Sequence, residues 1–147
     1  MEEEYDYLKS KNVEELVKII DDFNDMDATV EAMLVLWEKD REKTLEKGIN
    51  FLANNEGDAY FQTMIISTIN DIDFCKTLDC ISQRKDNIQA YLLGEIMRQM
   101  VIYASCDYVA QYVDFVMKQY RLLDENEMKE ITEYHNEFVH EFKVKNE

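Results

Sequence analysis

Two histidines, three cysteines and 32 carboxylates are the side chains through which this 147-residue chain could do chemistry. His135 and His140 stand five apart, which sets them on different sides of a helix. A helical metal pair prefers a spacing of four. Glu137 and Glu141 lie beside them, and Glu137-Phe138-Val139-His140 makes one E-x-x-H match. A helical di-iron centre needs that motif on two helices, so the simpler account is two partly exposed histidines on an acidic helix, and no metal is expected. Cys75 and Cys80 are also five apart and lack the C-x-x-C spacing of structural zinc sites. With Cys106 they make an odd number, which is not a disulfide framework. Reduced, semi-buried thiols are expected, and nothing brings one of them to a histidine as a nucleophile needs.

Other chemistries fail on spacing. Asp21, Asp22, Asn24, Asp25 and Asp27 suggest a calcium loop, but counting from Asp22 puts Asp27 where glycine belongs and Met33 where glutamate belongs. That run reads as a polar turn with helix-capping aspartates. Neither a G-x-x-x-x-G-K nor a G-x-G-x-x-G motif is present, so no phosphate-cradling loop is expected. Carboxylates are too abundant for any pair to stand out as acid and base. The expectation is a non-enzyme without a cofactor. An enzyme or metal-binding protein built on His135 and His140 is the rival, and replacing both would test it.

The elements that must carry these residues are set by composition. There is no proline and only three glycines, where a β-rich fold would use both in its turns. The hydrophobic share of 46% is enough for a packed core, and the length suits one domain over residues 1–147. The chain therefore reads as all-α. No apolar stretch approaches the ~20 residues of a membrane span. The opening Met1-Glu2-Glu3-Glu4 is the reverse of a signal peptide, so a cytoplasmic location is expected. A net charge of −16 repels nucleic acid and anionic lipid and attracts basic proteins. No basic stripe offers a nucleic-acid surface. The plainer reading of the charge is solubility.

Capping signals divide the chain into helices. Asn12 with Glu15 forms a capping box that opens a helix to about Phe23, with Val13, Leu16, Val17 and Ile20 as its apolar stripe. Asp27 caps a helix from Ala28 to about Glu38 with Val30, Met33, Leu34 and Trp37 inward. Asp40 and Asp58 cap the next two. The first carries Leu45, Ile49 and Leu52, the second Phe61, Met64, Ile65, Thr68 and Ile69. Asn70-Asp71-Ile72-Asp73 breaks the pattern before a short helix with Cys75, Leu78 and Ile81. A helix over 87–104 follows, then one capped by Ser105 or Asp107 and running to Tyr120, then a last one capped by Asp124.

Laid over one another, these helices show a 31-residue step: Ala28, Ala59 and Ala90; Val30, Phe61 and Leu92; Leu34, Ile65 and Ile96; and the small Ala32, Thr63 and Gly94. A repeated helix pair of this length predicts a short α-solenoid of stacked helical hairpins, with residues 1–23 and 123–147 as capping helices. An ordinary irregular bundle is the alternative.

With no reactive centre in view, a binding surface is the functional reading. Its candidates are Asp71, Asp73 and Asp79 in the acidic segment from Asp71 to Asp86, and Asp107, Tyr108, Gln111, Tyr112 and Asp114 on the helix from Asp107 to Tyr120. Rigid aromatic area supplies affinity and carboxylates supply steering. The competing account is that Tyr112 and Phe115 pack against a neighbouring helix.

Over residues 28–117, with acidic turns such as Ile69-Asn70-Asp71-Ile72-Asp73, the chain resembles the HEAT-like immunity proteins of bacterial polymorphic toxin and contact-dependent growth-inhibition systems. That resemblance implies neutralisation of a cognate toxin domain inside the producing cell. Many such toxins are nucleases with basic clefts, which carboxylates can fill in place of phosphates. A HEAT-like scaffold or adaptor that binds a cellular protein without inhibiting it is the alternative. Genomic context separates the two.

Overall fold

The computed structural model describes the backbone of residues 2–144 and the side chains of residues 4–144. Among the described residues every regular element is helical. The chain divides into two compact units, residues 1–77 and 78–147.

In the first unit a 3-10 segment (Glu2–Ser10) precedes α1 (Val13–Asp22). The Asn12 side chain accepts from the Glu15 amide at 2.9 Å, and the Glu15 carboxylate accepts from the Asn12 amide at 3.0 Å. Two amides left over at the helix start are satisfied by this exchange. Phe23 ends α1 in the left-handed region at φ 46°. That conformation costs a residue with a Cβ roughly 1–2 kcal/mol. The Phe23 ring lies 5.2 Å from Phe51 and 5.0 Å from Phe61, and each such aromatic pair contributes about 0.5–1.5 kcal/mol, enough to offset the strain.

α2 (Met26–Lys39) is capped by Asp25, whose carboxylate accepts from the Asp27 amide at 2.9 Å. The expected cap, Asp27, sits instead in the first turn, where a carboxylate favours the positive end of the helix dipole. Thr29, Ala32, Met33 and Leu36 form the buried face. α1, α3 and the 3-10 segment all pack on α2. Asp40 ends α2 and caps α3 (Arg41–Ala53), accepting from the Lys43 amide at 3.0 Å. α3 buries Thr44, Gly48, Phe51 and Leu52, while Leu45 and Ile49 are only half-buried. Its inward stripe is thus turned by one residue from the expected one.

The turn into α4 (Ala59–Ser82) needs glycine at Gly57 for two reasons. The backbone has φ +75°, and a Cβ there would lie 2.5 Å from the Phe61 ring. Buried Gln62 ties the turn down, donating to the Asn55 side-chain oxygen at 2.8 Å and the Glu56 carbonyl at 3.2 Å. α4 is broken at Asp73, where the backbone is extended at φ −160°, ψ 88°. The Asp73 carboxylate accepts from the Lys76 amide at 2.9 Å and restarts the helix. The break expected over Asn70–Asp73 is therefore present, and the two units divide between Thr77 and Leu78.

The second unit is built around α5 (Ala90–Ile102), with α6 (Val113–Arg121), α7 (Glu125–Glu130) and α8 (Thr132–Phe142) packed on it. Leu92, Leu93, Ile96, Met97 and Met100 are buried on α5. Each such side chain contributes roughly 1.5–3 kcal/mol on leaving water. Gly94 is the point of closest approach: a Cβ there would lie 2.8 Å from Ile131 and 3.0 Å from Tyr134. The helix expected from Asp107 to Tyr120 is not continuous. Residues 103–108 form turns, Val109–Tyr112 is a 3-10 segment, and α6 starts at Val113 with no side-chain cap from Ser105 or Asp107. Asp124 caps α7 with a full capping box, but Ile131 interrupts the expected last helix and α8 begins after it. The stretches expected as capping helices, 1–23 and 123–147, are largely helical where described; Met1 and residues 145–147 lie outside the described residues.

Candidate functional site

The eight residues singled out from sequence fall in both units. In the first, exposed Asp71 accepts from the Trp37 indole N–H at 3.2 Å. The Arg41 guanidinium lies over the same indole, 4.2 Å from its centroid. Tryptophan and arginine, here an indole held by a carboxylate and covered by a guanidinium, are residue types that concentrate binding energy at interfaces. Asp73 is half-buried and its carboxylate caps the second half of α4, so it has a local structural task.

In the second unit, exposed Asp79 accepts from the Gln83 side-chain amide at 2.9 Å. Asp107, Gln111 and Asp114 are exposed, and Tyr108 and Tyr112 are half-buried. A turn, a 3-10 segment and a helix carry these five, so the continuous helix expected to present Asp107, Gln111 and Asp114 on one face, with the tyrosines next to it, is absent.

The histidines are far from equivalent. His135 stacks on Tyr120 at 3.9 Å with the rings 8° from parallel, which ties α8 to α6. Burial pushes the His135 pKa below its ordinary 6.5, against a smaller upward pull from a hydrogen bond with Asn136. His140 is exposed. None of Cys75, Cys80 and Cys106 is in a disulfide, and all three are half-buried. Burial raises the Cys80 thiol above 9.0, which keeps it protonated and a weak nucleophile at neutral pH. Among the described residues no three His, Cys, Asp or Glu side chains gather into a metal-holding group.

Before α5, the Arg84 side chain is 5% exposed and grips Asp86 with two hydrogen bonds, at 2.9 and 2.7 Å. The hydrogen bond from Arg84 is the chief reason the Asp86 carboxyl titrates below 3.8. A fork-to-fork pair of this kind is among the stronger charge-assisted contacts. It fixes the loop that leads into α5.

The outer side of α2 was not legible from spacing. Leu34, expected inward, is 42% exposed, and Met26 is 40% exposed. With half-buried Val30 between them they form a ridge at steps of four residues. Asp27, Glu31 and Glu38 run alongside. The 3-10 segment also packs on α2, with Leu8 buried and Tyr7 exposed. Partial burial raises the Tyr5 pKa, and so do, in falling order, the charges of Glu4, Asp25, Asp27 and Glu31.

No protein-family model, curated protein or solved structure matches the chain. No helix of the described residues is long and apolar enough to cross a membrane.

Proposed function

We propose that this chain is an acidic binding protein that neutralises a basic toxin domain, a nuclease in the first instance, by covering its active cleft. In this reading it acts in the cytoplasm of the producing cell, and its helices work as stacked hairpins of HEAT-like type. The observation that carries the reading is the uneven charge. Residues 1–77 hold 19 acidic and 8 basic side chains, while residues 78–147 hold 13 and 8. The net values are −11 and −5, so one unit carries most of the field. Lys9, Lys11 and Lys18 are already paired with Asp6, Glu15 and Asp22. A concentrated field of this sign steers a basic partner and rejects nucleic acid itself. Trp37, Arg41 and Asp71 add an anchor of the kind that holds a partner after encounter.

The test is co-expression with the product of the adjacent gene. The proposal expects a stable complex on purification and loss of that product's toxicity or nuclease activity. Co-purification without any loss of activity would favour a scaffold or adaptor instead, and absence of any complex would refute both.

A further inference from the structure

α2 carries apolar residues on two faces, and only one of them is fully buried. The buried face holds Thr29, Ala32, Met33 and Leu36. The other holds Met26, Val30 and Leu34 in line, with Met26 and Leu34 at 40% and 42% exposure. One exposed leucine on a soluble protein needs no explanation. A line of three at helical spacing, edged by a second line of carboxylates, is a patterned surface. Asp27 and Glu31 each follow directly on an apolar member of the ridge, and Glu38 extends the acidic edge.

The charge of this neighbourhood says what can cover it. Residues 1–31 contain 11 acidic and 3 basic side chains. All three of those lysines are engaged by Asp6, Glu15 and Asp22. Among the described residues none pairs with Asp27 or Glu31. An occupant that buried the ridge with neutral or acidic edges would leave these carboxylates desolvated and unpaired, at several kcal/mol each. A second copy of the chain would bring the same acids against them. An occupant with cations flanking an apolar stripe satisfies both lines at once, and a helix supplies that spacing most simply.

We infer that the outer face of α2, from Met26 to Glu38, is a docking surface for a basic amphipathic helix of a protein partner. This rests on the reading of the chain as a binder of basic proteins, and it adds where the contact is made and what form the partner's segment takes. Leucine or similar side chains of the partner lie along Met26, Val30 and Leu34, and its lysines or arginines meet Asp27, Glu31 and Glu38. The apolar line fixes position, and the charged edge sets approach and direction.

The probe is a synthetic leucine–lysine peptide of about 18 residues with leucine at helical spacing. Its controls are a scrambled peptide of the same composition and an oligolysine of equal length. Binding to the full chain is followed through backbone amide shifts. The expected result is saturable binding of the amphipathic peptide with shifts centred on residues 26–38. In the Met26→Ser, Leu34→Ser double variant binding weakens about tenfold or more, and in Asp27→Asn, Glu31→Gln it weakens and depends less steeply on salt. These side chains lie on the outer surface, so an unchanged amide spectrum elsewhere verifies the fold of each variant.

Equal binding of the scrambled peptide or oligolysine would overturn the inference, since charge alone would then suffice. Shifts centred elsewhere, or no binding, would overturn it too. A concentration-dependent dimer abolished by Met26→Ser, Leu34→Ser would give the face to a second copy and also overturn it. If the adjacent gene's product binds these variants as tightly as the parent, this surface fails while neutralisation stands. If the peptide docks but no basic protein is neutralised, the surface stands and the proposed function fails.

Discussion

At Gln119 the side-chain oxygen lies 2.9 Å from the amide nitrogen of Ile88, and both residues are buried. This one contact joins α6 to the segment that leads into α5. Ile88 lies before the first turn of α5, where amides have no partner within the helix. Gln119→Leu keeps the approximate volume but leaves that N–H without an acceptor. The expected loss is about 1–3 kcal/mol, larger than the roughly 1 kcal/mol of an average hydrogen bond, because the orphaned group stays buried. Urea unfolding should show a lower midpoint with an unchanged slope. His135 gives a prediction in pH. Its pKa in the folded chain is below the ordinary 6.5, so the folded state binds this proton less readily than the unfolded state. Stability from the neutral ring is complete above 6.5 and is eroded as pH falls below it, towards the depressed folded value. Carboxylates protonating at lower pH relieve repulsion and act with the opposite sign. The readout is therefore the difference in melting temperature between the parent and His135→Phe, which keeps a ring on Tyr120. That difference should shift in favour of the variant between about pH 6.5 and 5.

Between elements, Gly48 decides how closely α3 and α4 approach. A Cβ there would lie 2.7 Å from the Ile69 Cγ2 methyl and 3.4 Å from Ile65. Alanine gains about 1 kcal/mol in helix propensity over glycine. Overpacking a rigid, fully buried β-branched neighbour costs about 1–3 kcal/mol. The steric cost wins, so Gly48→Ala should lower the thermal midpoint, where the same change on an exposed helix face would raise it. Much at this scale was legible from spacing. The box at Asn12, the caps at Asp40, Asp58 and Asp124, and the break before Phe74 all follow from short-range hydrogen bonding that needs only a few neighbouring residues. Other features were not. Val109, Val113 and Val116 are spaced by four and three, as on one face of an α-helix, and a 3-10 segment of four residues is too short to shift that period, so the interruption at Tyr112 leaves no trace in the pattern. On α2 two apolar stripes have equal helical period, and period alone does not say which one the rest of the fold covers. Leu34 is assigned inward on that ground and lies outward. Of the candidate site, Asp71 has the most interface-like setting, because Trp37 reaches it from an element distant in sequence and Arg41 lies over that indole.

For the whole molecule the governing quantity is charge and its placement. The chain carries −16, of which −11 lies in residues 1–77 and −5 in residues 78–147. Self-repulsion of this size opposes the compact state. An acidic excess serves solubility in any protein; its concentration in one unit, beside an apolar ridge, is what the proposed binding of a basic partner rests on. The all-helical architecture displays such side chains on rigid elements, and α2 carries both an anchor in Trp37 and a ridge in Met26, Val30 and Leu34. The central claim is that the field of the first unit brings in a basic protein. The measurement that tests it most directly is the association rate of the purified chain with the adjacent gene's product as ionic strength rises. Fast association at low salt should slow by about tenfold or more between about 0.01 M and 0.5 M salt, with dissociation changing far less. An association rate that stays flat across that range would contradict the account.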